Sequence, residues 1–488
     1  VITLTDLFCG AGGSSTGAIQ IPGVEVVMAA NHSRHAIDTH QANHPETRHD
    51  CADISQVVPT RYPKTDILWA SPECTNHSNA KGVKRDHGEW NDGLFAPDGT
   101  DETAIRSRAT MWDVPRFAEA HQYPIIIVEN VVESRWWGPK NNRGAVYDAW
   151  LYSMKAWGYE HRSVYLNSMH AQALGRGAAQ NRDRKYDVFW LKGNRAPDFD
   201  KWLRPSAVCP THGMVRAIQG WKTTNLCNPL KPWGKYGARN QYVWRCPRVE
   251  CRNAVVEPTV RAAHEIVDWS LPAVAIKDRK EAGLDPLAPA TMRRIRAGFE
   301  QFARPYLVPV EGREGKQPLS IDGPMRTCST RNETGLAVPP YMVELRGGSS
   351  SHRAITEPTA TVCAGGNHLY LAAPDMVLPY FSNSVARPAS EPLPTVTTVE
   401  GAAALGGGRA ESAEDMRFRM LEPHEYQAAM EFPPEYILTP RDKRTKVKML
   451  GNAVTPNAAR DLVAMAVEAL TGEDIGLCGP TASLAVAA

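Results

Sequence analysis

Short runs of β-branched, aliphatic and aromatic residues recur through the first 195 positions, separated by mixed polar segments. They are ITLTDLF (2–8), VEVVMAAN (24–31), TDILWAS (65–71), YPIIIVENV (123–131), RSVYLN (162–167) and YDVFWLKG (186–193). Their length and composition predict strands. Between the last two pairs lies AVYDAWLYSMKAWGY (145–159), where Val146, Trp150, Met154 and Trp157 recur at spacings of four and three. That period predicts an amphipathic helix. Strand and helix in alternation predict an α/β domain whose mostly parallel sheet carries helices on both faces. Ligands of such sheets bind at the carboxyl ends of the strands.

After Gly193 the pattern breaks into Pro, Trp, Cys and Arg with few periodic stretches, until about residue 405. A weak repeat runs through this region: DGPMRTCST, TEPTATVCA and SEPLPTVTT place Pro324, Pro358 and Pro392 at intervals of 34, each followed by Thr327, Thr361 or Thr395. Regular periodicity returns near residue 410, with PHEYQAAMEF (423–432) and KMLGNAVTPNAARDLVAMAVEAL (448–470) as helix candidates. A small-residue tail, 476–488, is expected to lack fixed structure.

Composition changes this picture little. The 488 residues are 42% hydrophobic and 22% charged, as in ordinary globular chains. No apolar run approaches the roughly 20 residues of a membrane span. With a net charge of +2, nucleic-acid binding must rest on local basic patches, at 245–252, 291–296 and 441–448. Ten cysteines are too sparse for a disulfide framework, and four of them, Cys209, Cys227, Cys246 and Cys251, lie in one central stretch. That pattern predicts a soluble protein of a reducing cytoplasm with one metal site.

The candidate chemistry sits at strand ends. The first strand runs into DLFCGAGGSSTG, whose Gly10, Gly12 and Gly13 permit a tight turn and close approach by a nucleotide-type cofactor. The second ends at His32, where an adenosyl site would usually place a carboxylate for ribose hydroxyls; Asp53, in CADIS (51–55) after a further short strand expected between VEVVMAAN and TDILWAS and counted as the third, is a better-placed acid. The fourth delivers Cys74 and the fifth Glu129, both toward the crevice of the glycine loop. Gln180, Arg182 and Arg184 alternate and share one face if extended, an arrangement suited to phosphate or to a surface charge ladder.

In this combination the chain resembles the DNA cytosine-5 methyltransferase family. The resemblance rests on F-x-G-x-G-G at Phe8–Gly13, a proline-cysteine turn near Cys74, Glu129-Asn130-Val131, Gln180-x-Arg182-x-Arg184 and Gly451-Asn452-Ala453-Val454, in the family's order. It covers roughly residues 2–190 and 417–470. It implies a Rossmann-like S-adenosylmethionine-dependent domain with a large inserted target-recognition domain. Cys74 would add to C6 of a cytosine flipped from double-stranded DNA, Glu129 would bind N3 and the exocyclic amine, and Arg182 and Arg184 would hold the nucleotide or support the Cys74 loop. S-adenosylmethionine would lie over Gly10, Gly12 and Gly13 with Phe8 near its adenine, Asp53 contacting that base, and Asn452 and Val454 closing the site. The expected organisation is a catalytic domain at 1–195, target recognition at 196–405, a return segment at 406–475 completing the first domain, and the tail at 476–488. A bacterial or bacteriophage source, a monomer, and a cognate restriction nuclease as genetic partner are further expectations. A transfer-RNA substrate fits less well, because the RNA enzymes of similar layout have a smaller middle region.

In that middle region Cys209 and His212 form a C-x-x-H pair, and Cys246 and Cys251 a looser C-x-x-x-x-C pair. Together they are a candidate Cys3His zinc site, with Cys227 as a competing ligand. Two positions depart from the family pattern. Glu73 stands where proline usually precedes the cysteine, which leaves an amide hydrogen in place and sets a carboxylate beside the thiol. His32 replaces the usual acid. Both departures allow an altered pocket, for a modified cytosine, an unusual sulfonium donor or a different way of activating the thiol; a separate reading is a catalytically decayed DNA-binding protein.

Overall fold

A computed structural model describes residues 1–73, 108–139, 141–222, 234–261 and 417–478, with shorter segments between 263 and 414. Cys74 and Cys227 lie outside the described residues, as do the second and third copies of the Pro-Thr repeat.

The six strand runs, with a short strand at Arg48–Asp50, form one seven-stranded sheet. They are β1 (Ile2–Leu7), β2 (Val24–Ala30), β3 (Arg48–Asp50), β4 (Ile67–Ala70), β5 (Ile125–Asn130), β6 (Tyr159–Asn167) and β7 (Asp183–Leu191). Their spatial order is β3-β2-β1-β4-β5-β7-β6. The first five are parallel. The last two join by antiparallel ladders, so the sheet is mixed at one edge. Chain order reverses between β1 and β4, which opens a crevice at their carboxyl ends.

Alternation along the strands divides the core in two. Leu4, Ile67, Trp69, Ile125 and Ile127 face a layer built with α1 (Gly13–Ala18) and a later helix, Pro456–Thr471. Leu7, Leu68, Ala70, Ile126 and Val128 face the opposite layer, with α2 (Arg34–Asn43) nearby and α3 (Asp113–His121) and α4 (Ala145–Ala156) packed on it. Each side chain's face follows from the period of two. The buried stripe of α4 is Tyr147, Trp150 and Met154; Trp157 falls at its C-terminal cap and is exposed. The predicted stripe was therefore displaced at both ends, because a Tyr hydroxyl bonded to Asp187 takes the inward position next to Val146.

After α4 in the sequence come two hairpins, β8 (Ser206–Cys209) with β9 (Gly213–Arg216), and β10 (Ile218–Trp221) with β11 (Tyr242–Arg245). The C-terminal segment adds α5 (Lys443–Asn452) and α6 (Pro456–Thr471). α6 is buried nearly all round, from Pro456 to Ala469 and including Asn457, Arg460 and Asp461, because it is sandwiched in the core.

The chain divides into two compact units, one comprising Val1–Arg261, Arg326–Arg331 and Tyr426–Ala488, the other Ala262–Met325 and Asn332–Glu425. Both hairpins after β7 pack within the first unit. The second unit holds a five-stranded sheet of β12 (Val274–Ala275), β13 (Tyr306–Pro309), β14 (Leu319–Ser320), β15 (Thr334–Val338) and β16 (Arg417–Met420), in the order β12-β16-β15-β13-β14. Its core includes Ile295, Val308, Ala337 and Phe418. Among the described residues no helix is long and apolar enough to cross a membrane.

Candidate active site

The glycine loop follows β1 directly. Phe8 has φ +60°, a left-handed conformation rare for a bulky side chain, and Gly10 (φ +53°) and Gly12 (φ +82°) share that region. The three glycines do different work. A Cβ on Gly10 would meet only the Phe8 carbonyl, at 3.9 Å, so its face is open. A Cβ on Gly12 would stand 2.5 Å from the Tyr436 hydroxyl, and one on Gly13 would overlap the Val454 carbonyl. Gly12 and Gly13 thus admit the C-terminal segment, and Gly10 alone keeps the predicted open approach.

Beneath the loop runs a buried hydrogen-bond chain that sequence reasoning missed. Ser15 donates its single hydroxyl proton to Asp6 Oδ2 (2.7 Å), so it accepts from His40 Nε2 (2.9 Å). His40 Nδ1 then accepts from His49 Nε2 (2.8 Å). By the same logic Thr16 donates to the Gly12 carbonyl (2.7 Å) and accepts from His44 Nε2 (3.1 Å). Burial pushes the Asp6 carboxyl up to about 6, against the lowering hydrogen bonds of Ser14 and Ser15. Burial, with neighbouring imidazoles, holds His40 well below the usual range and His44 at about 4. The available signal was the pair His40 and His44, four apart, the first in the last turn of α2 and the second at its C-cap.

At the neighbouring strand ends, the Asn31 amide donates to the Asp50 carbonyl (3.1 Å), which sets His32 beside the start of the Cys74 segment. His32 Nδ1 lies 3.8 Å from Glu73 Oε1, so the two departures from the family pattern face one another. The Glu73 amide, which proline would lack, donates to Thr110 Oγ1 (3.1 Å). Asp53 is exposed and caps the short helix Ile54–Gln56 by accepting from the Ser55 amide (3.1 Å).

Glu129 and Arg184 meet across β5 and β7. Arg184 Nε is 2.8 Å from Glu129 Oε1, and both side chains are almost fully enclosed. Asn130 accepts from the Val131 amide (2.8 Å) and reaches the Pro72 carbonyl (3.4 Å), tying the end of β5 to the strand end that precedes Cys74. Arg182 is fully buried and points at the C-terminal segment, bonding the carbonyls of Gly451 (3.2 Å) and Ala453 (2.7 Å). Gln180 is buried against Met430 Sδ (3.1 Å). Alternation in sequence therefore does not make a surface ladder here. Of the return-segment candidates, Val454 is buried against the glycine loop and Asn452 is exposed. Cys209, His212, Cys246 and Cys251 converge, at the hairpins after β7.

Sheet order, the strained loop after β1 and the crevice at the strand ends define a Rossmann-like methyltransferase domain. Residues 2–206 match the family model of C-5 cytosine-specific DNA methylases. This segment is a domain of that family, whose members use S-adenosylmethionine. Solved structures similar to the chain include a DNA modification methyltransferase encoded within an E. coli prophage (15% identity, 97% of this chain and 100% of that chain, TM-score 0.46). Others are the Dnmt2 methyltransferase of S. pombe (11%, 96% and 100%, 0.45) and the methyltransferase EhMeth of Entamoeba histolytica (10%, 96% and 99%, 0.48). No curated protein matches the sequence.

Proposed function

We propose that the protein methylates C5 of a cytosine flipped out of double-stranded DNA, through a covalent bond between Cys74 and C6. The observation that carries this reading is the enclosed Glu129–Arg184 ion pair, at the end of β5 and one strand away from the segment leading to Cys74. A carboxylate fixed in that way is aimed rather than free to rotate.

The loop suits an adenosyl group, because Gly10 offers an open backbone face with no side chain of its own. Phe8, Gly10, His32 and Asp53 would hold it, with Asn452 at the rim and with Gly12, Gly13 and Val454 supporting the loop. When bound, S-adenosylmethionine supplies an electrophilic methyl group. Cytosine C5 is a poor nucleophile on its own, so the thiolate of Cys74 adds to C6 and its electron pair makes C5 nucleophilic. Glu129 accepts from the exocyclic amine and shares a proton with N3 as negative charge builds on the ring. After C5 is methylated, its proton leaves to a base, the C5–C6 double bond re-forms, and the Cys74 thiolate is expelled. Arg184 orients Glu129, and Arg182 and Gln180 hold the strand entry and the C-terminal segment in register. DNA recognition belongs to the central region, 196–405; residues 406–475 complete the catalytic domain and 476–488 form its tail.

DNA containing 5-fluorocytosine tests the reading, because fluorine cannot leave as a proton and the adduct persists. A complex surviving denaturation, formed with the parent and lost in Cys74→Ala, is the expected result. Adduct formation by Cys74→Ala, or DNA binding without methylation by the parent, overturns it, the latter in favour of a decayed DNA-binding protein. Bisulfite sequencing of host DNA then reports the target context. A second reading, an unusual sulfonium donor or a modified cytosine, is favoured by the approach of His32 to Glu73.

A further inference from the structure

The two hairpins after β7 enclose a cluster of sulfur and imidazole groups. Cys209 ends β8 and His212 precedes β9, with Gly213 (φ +68°) making the turn between them. Cys246 follows β11, and a second turn brings Cys251 back beside it, closed by a bond from Asn253 Nδ2 to the Cys246 carbonyl (3.0 Å). One ligand atom from each of the four residues lies within 4.8 Å of the others. His212 Nδ1 stands 3.5 Å from the sulfurs of both Cys209 and Cys246. Zinc–sulfur and zinc–nitrogen bonds of ordinary length at tetrahedral angles put sulfur and nitrogen about 3.6 Å apart. The other imidazole nitrogen points toward the side of the Glu250 carboxylate, 4.0 Å away and beyond a direct hydrogen bond, while Nδ1 is the nitrogen turned to the sulfurs.

We propose that Cys209, His212, Cys246 and Cys251 bind one structural zinc ion that fastens together the two hairpins, which contact Asp183 at the start of β7. A nitrogen and sulfur donor set selects zinc over hard cations, and four protein ligands leave no position for a substrate. The hairpins need such a fastening. Their shared buried cluster is small and counts Cys209 and Cys246 among its own members.

The zinc is a positioning element. From the braced hairpins Trp244 Nε1 donates to His170 Nδ1 (3.0 Å), and the Tyr236 amide donates to Asp183 Oδ1 (3.1 Å). Lys235 Nζ lies 2.8 Å from Glu133, in the turn that follows Glu129-Asn130-Val131. These contacts hold the residue before Arg184 and the exit of the Glu129 strand.

Metal analysis of the full chain, purified without a histidine tag, tests the proposal independently of methyl transfer. One zinc per chain is expected, falling to trace levels in Cys251→Ser and His212→Ala and unchanged in Cys227→Ser. Cobalt exchanged into the parent should show thiolate charge-transfer and tetrahedral d–d absorption. That spectrum decides the matter even if a ligand variant fails to fold. A metal-free folded parent whose thiols all react freely, or a cobalt form without these bands, overturns the site. Zinc that survives Cys251→Ser and leaves with Cys227→Ser overturns the ligand set.

Discussion

Arg184 Nε and Glu129 Oε1 stand 2.8 Å apart across two antiparallel strands, with little solvent reaching either group. Removing one partner leaves the other buried charge without this ion pair, which costs about 3 kcal/mol, whereas removing both relieves that penalty. Glu129→Gln and Arg184→Met should each destabilise strongly, and the double variant by less than their sum. Urea unfolding of the four proteins measures the coupling. Additive losses would show that the pair contributes nothing as a pair. In the proposed reaction Glu129→Gln also lowers kcat by about 10²–10³-fold, on the scale of lost acid–base and electrostatic catalysis.

Arg182 should prove a structural residue. Arg182→Ala strands the carbonyls of Gly451 and Ala453 in a buried place, for a loss of about 2–4 kcal/mol. Arg182→Lys keeps one charge but not the spread of donors, and should fall between. Denaturation midpoints that match the parent would contradict the clamp.

The glycines separate support from ligand approach. Gly13→Ala drives a methyl into the Val454 carbonyl and should cost about 3 kcal/mol or more. Gly10→Ala has room, so only its positive φ is penalised, by about 1 kcal/mol. It should remain folded and bind S-adenosylmethionine about tenfold more weakly, since about 1.4 kcal/mol of lost fit is a factor of ten. Calorimetry on folded Gly10→Ala decides this, and unchanged affinity would move the cofactor off that face.

Acid should loosen the floor of the loop through its histidines. His44 has an ordinary value of 6.5 when unfolded and about 4 when folded, so the unfolded chain takes up its proton first as pH falls. Its contribution is whole above 6.5 and is lost progressively toward and through 4, by about 2 kcal/mol between pH 7 and pH 5. Asp6 shifts the opposite way and gains stability over the same interval, so the parent alone is a poor reporter. The difference between the parent and His44→Gln isolates the effect. Identical pH slopes for the two would exclude it.

His32 and Glu73 change together or not at all in a useful test, because His32→Asp alone would set two carboxylates face to face. The variant His32→Asp with Glu73→Pro restores the residues usual in the family. If the native pair marks a different sulfonium donor, this variant binds S-adenosylmethionine about tenfold more tightly than the parent. Equal affinities would remove the unusual donor from consideration.

What could be read from the sequence was local. Six strand runs and the α4 helix announced themselves by period and β-branching, and the C-x-x-H pair by spacing. The strand ends located the crevice. What escaped depended on partners hundreds of positions away. Gly13 looked like a ligand contact because nothing near it names Val454, and Arg182 looked like half of a surface ladder because its acceptors are residues 451 and 453. The chain through Ser15, His40 and His49 escaped for a related reason: ordinary polar residues acquire direction only once each hydroxyl proton is assigned.

The dependence of the glycine loop on Val454 has a consequence for birth of the protein on the ribosome. Residues 1–261 can assemble their sheet early, yet one face lacks α6 and the loop after β1 lacks its wall until Tyr426 onward has been synthesised. During that interval the nascent domain exposes an apolar face suited to chaperone capture. Cofactor binding becomes available late, after the whole central region has emerged, so translation itself delays the competent state.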